Sequence, residues 1–146
     1  MKFKKRSKKS VVGGNQKVKN ATRVVYDGIQ FRSKLERYMY QQLKDAGFSF
    51  KYEEEKFVLI EPFEYLGEKI RACTYLPDFI VTIGDKKFVV EAKGMKTDVW
   101  NIKLKLVKQY LVKTGLNYQM FIPRNQEQCR KVVEDLLKIV KNGQVS

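Results

Sequence analysis

Tyr75 to Gly94, YLPDFIVTIGDKKFVVEAKG, sets two short runs of β-branched and aromatic residues on either side of Gly84-Asp85. That pattern predicts two strands joined by a tight turn. With Gly84-Asp85 as the loop, Ile83 faces Lys86, and counting outward pairs Asp78 with Glu91. Side chains alternate along a strand, so Glu91 and Lys93 point one way while Val90 and Ala92 point the other. Asp78, Glu91 and Lys93 then crowd one face of an otherwise apolar hairpin. Phe79, Ile80, Val81, Phe88, Val89 and Val90 mark that hairpin as sheet interior, where a charge without a partner costs several kcal/mol. Two carboxylates beside an ammonium suit a hard dication with oxygen ligands, Mg²⁺ or Mn²⁺.

The chain has 146 residues, enough for one domain with a real core plus a tail. Thirty basic against sixteen acidic residues give a formal charge of +14. Such an excess points to nucleic acid as the first partner and an anionic membrane surface as the second. No apolar run approaches the ~18 residues of a membrane span, and no apolar signal core opens the sequence. The expectation is a soluble, cytoplasmic protein with Cys73 and Cys129 reduced and buried. Histidine is absent. That excludes His-centred nucleases, Ser-His and Cys-His hydrolases and the ordinary zinc sites. Acid-base chemistry is left to carboxylates, lysine or metal-bound water.

Residues 1–20 carry seven lysines, one arginine and no acid, and read as a flexible basic arm whose charge density favours docking on phosphates. Residues 21–146 form the folded domain. Arg23 to Phe31 predicts a hairpin tipped by Asp27-Gly28, and Ser33 to Ala46 a helix closed by Gly47, with Leu35, Tyr38, Met39, Leu43 and Ala46 as its apolar stripe. Phe48 to Ile60 reads as a strand interrupted by Glu53-Glu54-Glu55. Phe63 to Leu66 and Ile70 to Tyr75 are expected to pair around Gly67-Glu68, the second continuing into Asp78. A helix from Thr97 to Thr114, a strand from Tyr118 to Ile122 and a helix capped by Asn125 complete the order. In the last helix Cys129, Val132, Val133, Leu136, Leu137 and Val140 form the core stripe. The sum is an α/β sandwich, a central mixed β-sheet flanked by helices.

Phosphodiester hydrolysis needs an acidified water, in-line attack and charge neutralised on the transition state and leaving oxygen. Metal on Asp78 and Glu91 meets the first and last needs, and Lys93 can orient the water or stabilise the developing charge. Glu36 has two readings. Ser33-Lys34-Leu35-Glu36 is a capping box, in which Glu36 reaches back to the N-cap amide. Alternatively Glu36 starts a helix beside the metal strands and adds a third carboxylate.

Further motifs accompany Pro77-Asp78 and Glu91-Ala92-Lys93. They are Arg32-Ser33-Lys34-Leu35-Glu36, Gln42-Leu43, Gly47, Phe50-Lys51-Tyr52-Glu53, Tyr75-Leu76-Pro77-Asp78-Phe79 and Phe88-Val89-Val90-Glu91-Ala92-Lys93-Gly94. The set resembles the phage endonuclease I family of Holliday-junction resolvases, within the PD-(D/E)xK nuclease superfamily, over about Phe31 to Ile122. The resemblance implies a restriction-endonuclease-like sandwich and Mg²⁺-dependent cleavage of branched DNA. It makes Glu36, Asp78, Glu91 and Lys93 catalytic, and Glu36, Asp78, Glu91 and the backbone carbonyl of Ala92 metal ligands. It also implies a homodimer and a phage or prophage origin. Lys4, Lys5, Arg6, Lys8, Lys9, Lys17 and Lys19 of the arm, with Arg32, Lys34, Lys96 and Lys103 of the body, are the candidate DNA contacts. The chain departs from the family in its spacing before Glu91 and in the extended Phe63 to Arg71 hairpin. The rival expectations are a nuclease for flaps, nicks or linear DNA, and a basic DNA-binding module without catalysis.

Overall fold

The computed structural model describes residues 23–143. The basic arm lies outside them, and with it Lys4, Lys5, Arg6, Lys8, Lys9, Lys17 and Lys19. The described chain is mixed α/β. It opens with a hairpin, β1 (Val24–Tyr26) and β2 (Ile29–Phe31), and continues into α1 (Lys34–Asp45). Ser33 caps α1 in extended conformation, its hydroxyl accepting the Glu36 amide at 3.1 Å. The Ala46 amide closes the last turn on the Gln42 carbonyl at 3.1 Å and the Gly47 amide on the Lys44 carbonyl at 3.0 Å.

The centre is a four-stranded sheet in the order β10 (Gln119–Phe121), β9 (Lys86–Val90), β8 (Phe79–Ile83), β3 (Ser49–Tyr52). β8 and β9 are antiparallel with Phe79 opposite Val90 and Ile83 opposite Lys86, the register expected from Gly84-Asp85. Gly84 takes φ +61°, the left-handed first position of a primed two-residue turn. β3 runs antiparallel to β8, and β10 parallel to β9, so the sheet is mixed.

Each face of this sheet has its own core. On one side Phe79, Val81, Phe88 and Val90 pack against Met39 and Leu43 of α1 and Cys129, Val132 and Leu136 of α3 (Gln126–Gly143). On the other, Ile80 and Val89 meet Trp100, Val107 and Leu111 of α2 (Asp98–Lys113), together with Phe57 and Tyr75. The Asn125 side chain accepts the Gln128 amide at 2.8 Å, as a cap for α3 should. Leu137 of the expected stripe is exposed, because the buried face of α3 runs through Cys129, Val132 and Leu136. Cys73 and Cys129 are both free; Cys129 is buried and Cys73 half-buried, so burial holds for one of the two.

The segment from Phe48 to Tyr75 differs from expectation. It divides into β3 and β4 (Phe57–Ile60), which belong to separate sheets, with Glu53 to Glu55 in the break. Ile70 to Tyr75 likewise divides. β6 (Glu68–Ile70) pairs with β5 (Phe63–Tyr65) around Leu66-Gly67, while β7 (Cys73–Tyr75) returns to β4. The turn slides one residue from Gly67-Glu68 because Leu66 and Gly67 both adopt positive φ, the geometry of a primed turn. No helix among the described residues is long and apolar enough to cross a membrane.

Leu136 is fully buried between α3 and the sheet. Leu136→Ala should lower unfolding free energy by about 2–5 kcal/mol in urea titrations. Ser33→Ala, which removes only the α1 cap, should cost about 1 kcal/mol.

Candidate functional site

Three neighbouring strands end at the same edge of the sheet. Tyr52 of β3 lies opposite Phe79 of β8, which lies opposite Val90 of β9. One residue further out are Glu53, Asp78 and Glu91, so the chain sets a row of carboxylates across the sheet end. Glu36 joins them from the first turn of α1. Glu36, Asp78 and Glu91 are buried and Glu53 is half-buried.

Asp78 sits at the centre and is 2% exposed. Its Oδ2 accepts the Ala92 amide at 2.9 Å, and its own amide donates to Glu91 Oε2 at 3.2 Å. These reciprocal bonds extend the β8–β9 ladder with side chains. The Tyr75 hydroxyl donates to the same Glu91 oxygen at 2.8 Å. On the α1 side, Tyr52 donates to Glu36 Oε2 at 2.9 Å and the Arg32 amide to the same oxygen at 3.4 Å. The capping box is therefore modified. Ser33 caps the Glu36 amide, but the Glu36 carboxylate bonds to the amide before the N-cap and faces the sheet end.

Burial pushes the Asp78 carboxyl up to about 9, reinforced by the negative charges of Glu91 and Glu36 and opposed by the Ala92 amide and Arg32. Burial also raises Glu91, against the Tyr75 hydroxyl, the Asp78 amide, Lys93 and Arg32. Tyr75 and Tyr52 are raised by burial and by the carboxylates they serve, so both remain hydrogen-bond donors. Like charges withdrawn from water leave a demand for positive charge at this point.

One oxygen from each of Glu36, Glu53 and Asp78 lies within 4.8 Å of the others. An all-oxygen set at this spacing fits a single hard dication. Glu91, expected as a ligand, is not one of this trio; its Oε2 accepts from the Tyr75 hydroxyl and the Asp78 amide. The Ala92 amide meets Asp78. Lys93 stands on the Glu91 face of the hairpin, its Nζ 4.4 Å from the centroid of the Trp100 ring, and it makes no ion pair within 4.0 Å among the described residues.

Of the body's candidate DNA contacts, Lys34 and Lys96 are exposed and Lys103 is half-buried with its Nζ 6.0 Å from the Tyr75 ring. Arg32 is engaged instead with Glu36, Glu53 and Asp78. Glu53 is the acidic residue that sequence reasoning passed over, as one of three consecutive glutamates. Its signal was positional: it directly follows a strand that ends beside Asp78. Glu53 takes φ +48° and donates its amide to the Asp78 carbonyl at 3.0 Å.

Residues 16–125 match the family described as "Protein of unknown function (DUF1064)". The chain belongs to that family. The DUF1064 match spans the sheet, α1 and α2, and so takes in all four carboxylates and Lys93. No curated protein matches the chain.

The raised Asp78 carboxyl ties stability to pH. Below about pH 4 folded and unfolded chains both hold this proton; between about 4 and about 9 only the folded chain does, so raising pH favours unfolding through that window. Without divalent ions, the melting temperature should carry a downward slope from this group, and Asp78→Asn should make the profile shallower. Equal slopes in the two proteins would show that Asp78 ionises normally.

Proposed function

We propose that this protein is a metal-dependent endonuclease that cuts branched DNA, with four-way junctions as the preferred substrate. The observation carrying this reading is the convergence of Glu36, Glu53, Asp78 and Glu91 at one sheet end, on motifs that resemble those of the phage endonuclease I resolvases. A restriction-endonuclease-like sandwich is the fold implied by the same resemblance, and the mixed sheet with helices on both faces is compatible with it.

In such a reaction a water oxygen bonds to phosphorus, the bond to the 3′ oxygen breaks, and that oxygen takes up a proton, leaving 5′-phosphate and 3′-hydroxyl ends. Glu36, Glu53 and Asp78 would hold Mg²⁺, with Mn²⁺ as a substitute, and the ion would supply Lewis acidity to water and phosphate. Asp78 is fixed by the Ala92 amide and Glu91 by Tyr75 and the Asp78 amide, so the carboxylates are oriented before substrate arrives. Lys93, resting on Trp100, is near enough to Glu91 to lower its pKa. Its ammonium orients the water or stabilises charge on the phosphoryl oxygens. Exposed lysines, Lys34 and Lys96 among them, follow phosphates, and junction shape supplies selectivity. A two-fold homodimer gives one site for each of two strands. Junction processing of this kind suits a cytoplasmic, phage- or prophage-encoded protein.

A second reading keeps the chemistry and changes the substrate to flaps, nicks or linear DNA. The extended hairpin of β5 and β6, a departure from the resolvase pattern, favours it.

Purified protein with Mg²⁺ should cut a labelled four-way junction at least about tenfold faster than linear duplex of the same sequence, and equally fast cutting of both would favour the second reading. Asp78→Asn and Lys93→Ala should each reduce cutting by about 10²-fold or more, the scale seen when a group acting on the transition state is removed. Junction binding should persist in both. Cutting at the wild-type rate by either variant would remove that residue from the mechanism.

A further inference from the structure

Arg32 lies between β2 and the N-cap of α1, its backbone held by the fully buried Phe31 on one side and the Ser33 cap on the other. Its side chain is 62% exposed, yet its guanidinium turns inward over the carboxylates. One terminal nitrogen pairs with Glu53 and lies 3.4 Å from Asp78 Oδ1, and Nε lies 3.9 Å from Glu36 Oε1. These are the same three side chains whose oxygens are spaced for a single dication. Cation and guanidinium therefore draw on one set of acceptors. The guanidinium brings one positive charge to these three acidic groups, and a dication brings one more in a smaller volume.

We propose that Arg32 is the resident counter-cation of the site, which a divalent ion displaces and which then turns outward to a DNA phosphate. This rests on the metal-site reading above and adds its regulation: metal entry and phosphate capture are coupled through one side chain. The exposed stem makes the exchange feasible, because leaving the carboxylates returns the guanidinium to solvent without opening the core. Its planar fork suits phosphate oxygens as well as carboxylate oxygens. A purely structural Arg32, serving only to fix the start of α1, would weaken metal binding when removed; a competing Arg32 would strengthen it.

The test is Mn²⁺ titration of the full chain without DNA, following free Mn²⁺ by electron paramagnetic resonance. Arg32→Gln should bind about tenfold tighter than wild type, the scale for removing a partly screened unit charge from about 4 Å. Arg32→Lys, which keeps the charge, should stay near wild type. Unchanged or weaker binding by folded Arg32→Gln overturns the counter-cation role and leaves the metal site standing. Absence of Mn²⁺ binding in all three proteins overturns the metal-site reading, and this proposal with it. A measurement on wild type is independent of how the variants fold. The Arg32 Nε–H resonance should move toward the position of a free guanidinium as Mg²⁺ saturates the site. A resonance that stays fixed while Mg²⁺ binds overturns the displacement.

Discussion

Burying several like charges at one point is the constraint to which the rest of this structure answers. Asp78, Glu91 and Glu36 are withdrawn from water within a single end of the sheet, where each ionised carboxylate carries a desolvation cost of several kcal/mol. The fold meets that cost with donors. The amides of Asp78 and Ala92, the hydroxyls of Tyr52 and Tyr75 and the side chain of Arg32 all converge on the cluster. Several of these donors also have packing roles. Tyr75 is part of the α2-side core and Tyr52 packs against the α1–α3 side. The polar centre and the two apolar cores are thus joined through shared residues.

The chain's electrostatics are divided between scales. The whole sequence carries +14, while the buried sheet end is acidic. A polyanion approaching from solution meets the long-range positive field first. At close range it meets carboxylates that repel phosphate until they are neutralised. On the nuclease reading proposed above, a basic chain with an acidic centre would bind nucleic acid broadly but admit it to the centre only alongside cations. Proton uptake by Asp78 partly offsets the same repulsion.

Much of this was legible in the residues because local rules and tertiary structure agree there. The β8–β9 register follows from two residues, Gly84 and Asp85, and it alone decides that Asp78 meets Glu91. Helices α1, α2 and α3 begin at the polar caps Ser33, Thr97 and Asn125. Legibility fails between Phe48 and Tyr75. Strands of three or four residues there divide between the central sheet and two small separate ones, and alternation over so few positions does not specify a partner. Glu53 was hidden for a related reason. Among three glutamates, what singles one out is its left-handed backbone and its bond to the Asp78 carbonyl, features set by the strand across from it. Arg32 carried the signal of a phosphate contact, and only the three-dimensional arrangement reveals its acidic neighbours.

The hairpin of β5 and β6 has an implication for how chains of this architecture can vary. Residues 61–69 are all exposed, with Leu66 at the tip 90% so. At its base Ile60 lies opposite Cys73, so the excursion leaves and re-enters the body between paired residues. Lengthening a loop closed in this way adds only about 0.6 kcal/mol per doubling. The hairpin can therefore be shortened, extended or replaced by a fluorophore attachment site while the spacing from Tyr75 to Glu91 stays fixed, which makes it a natural port for grafting.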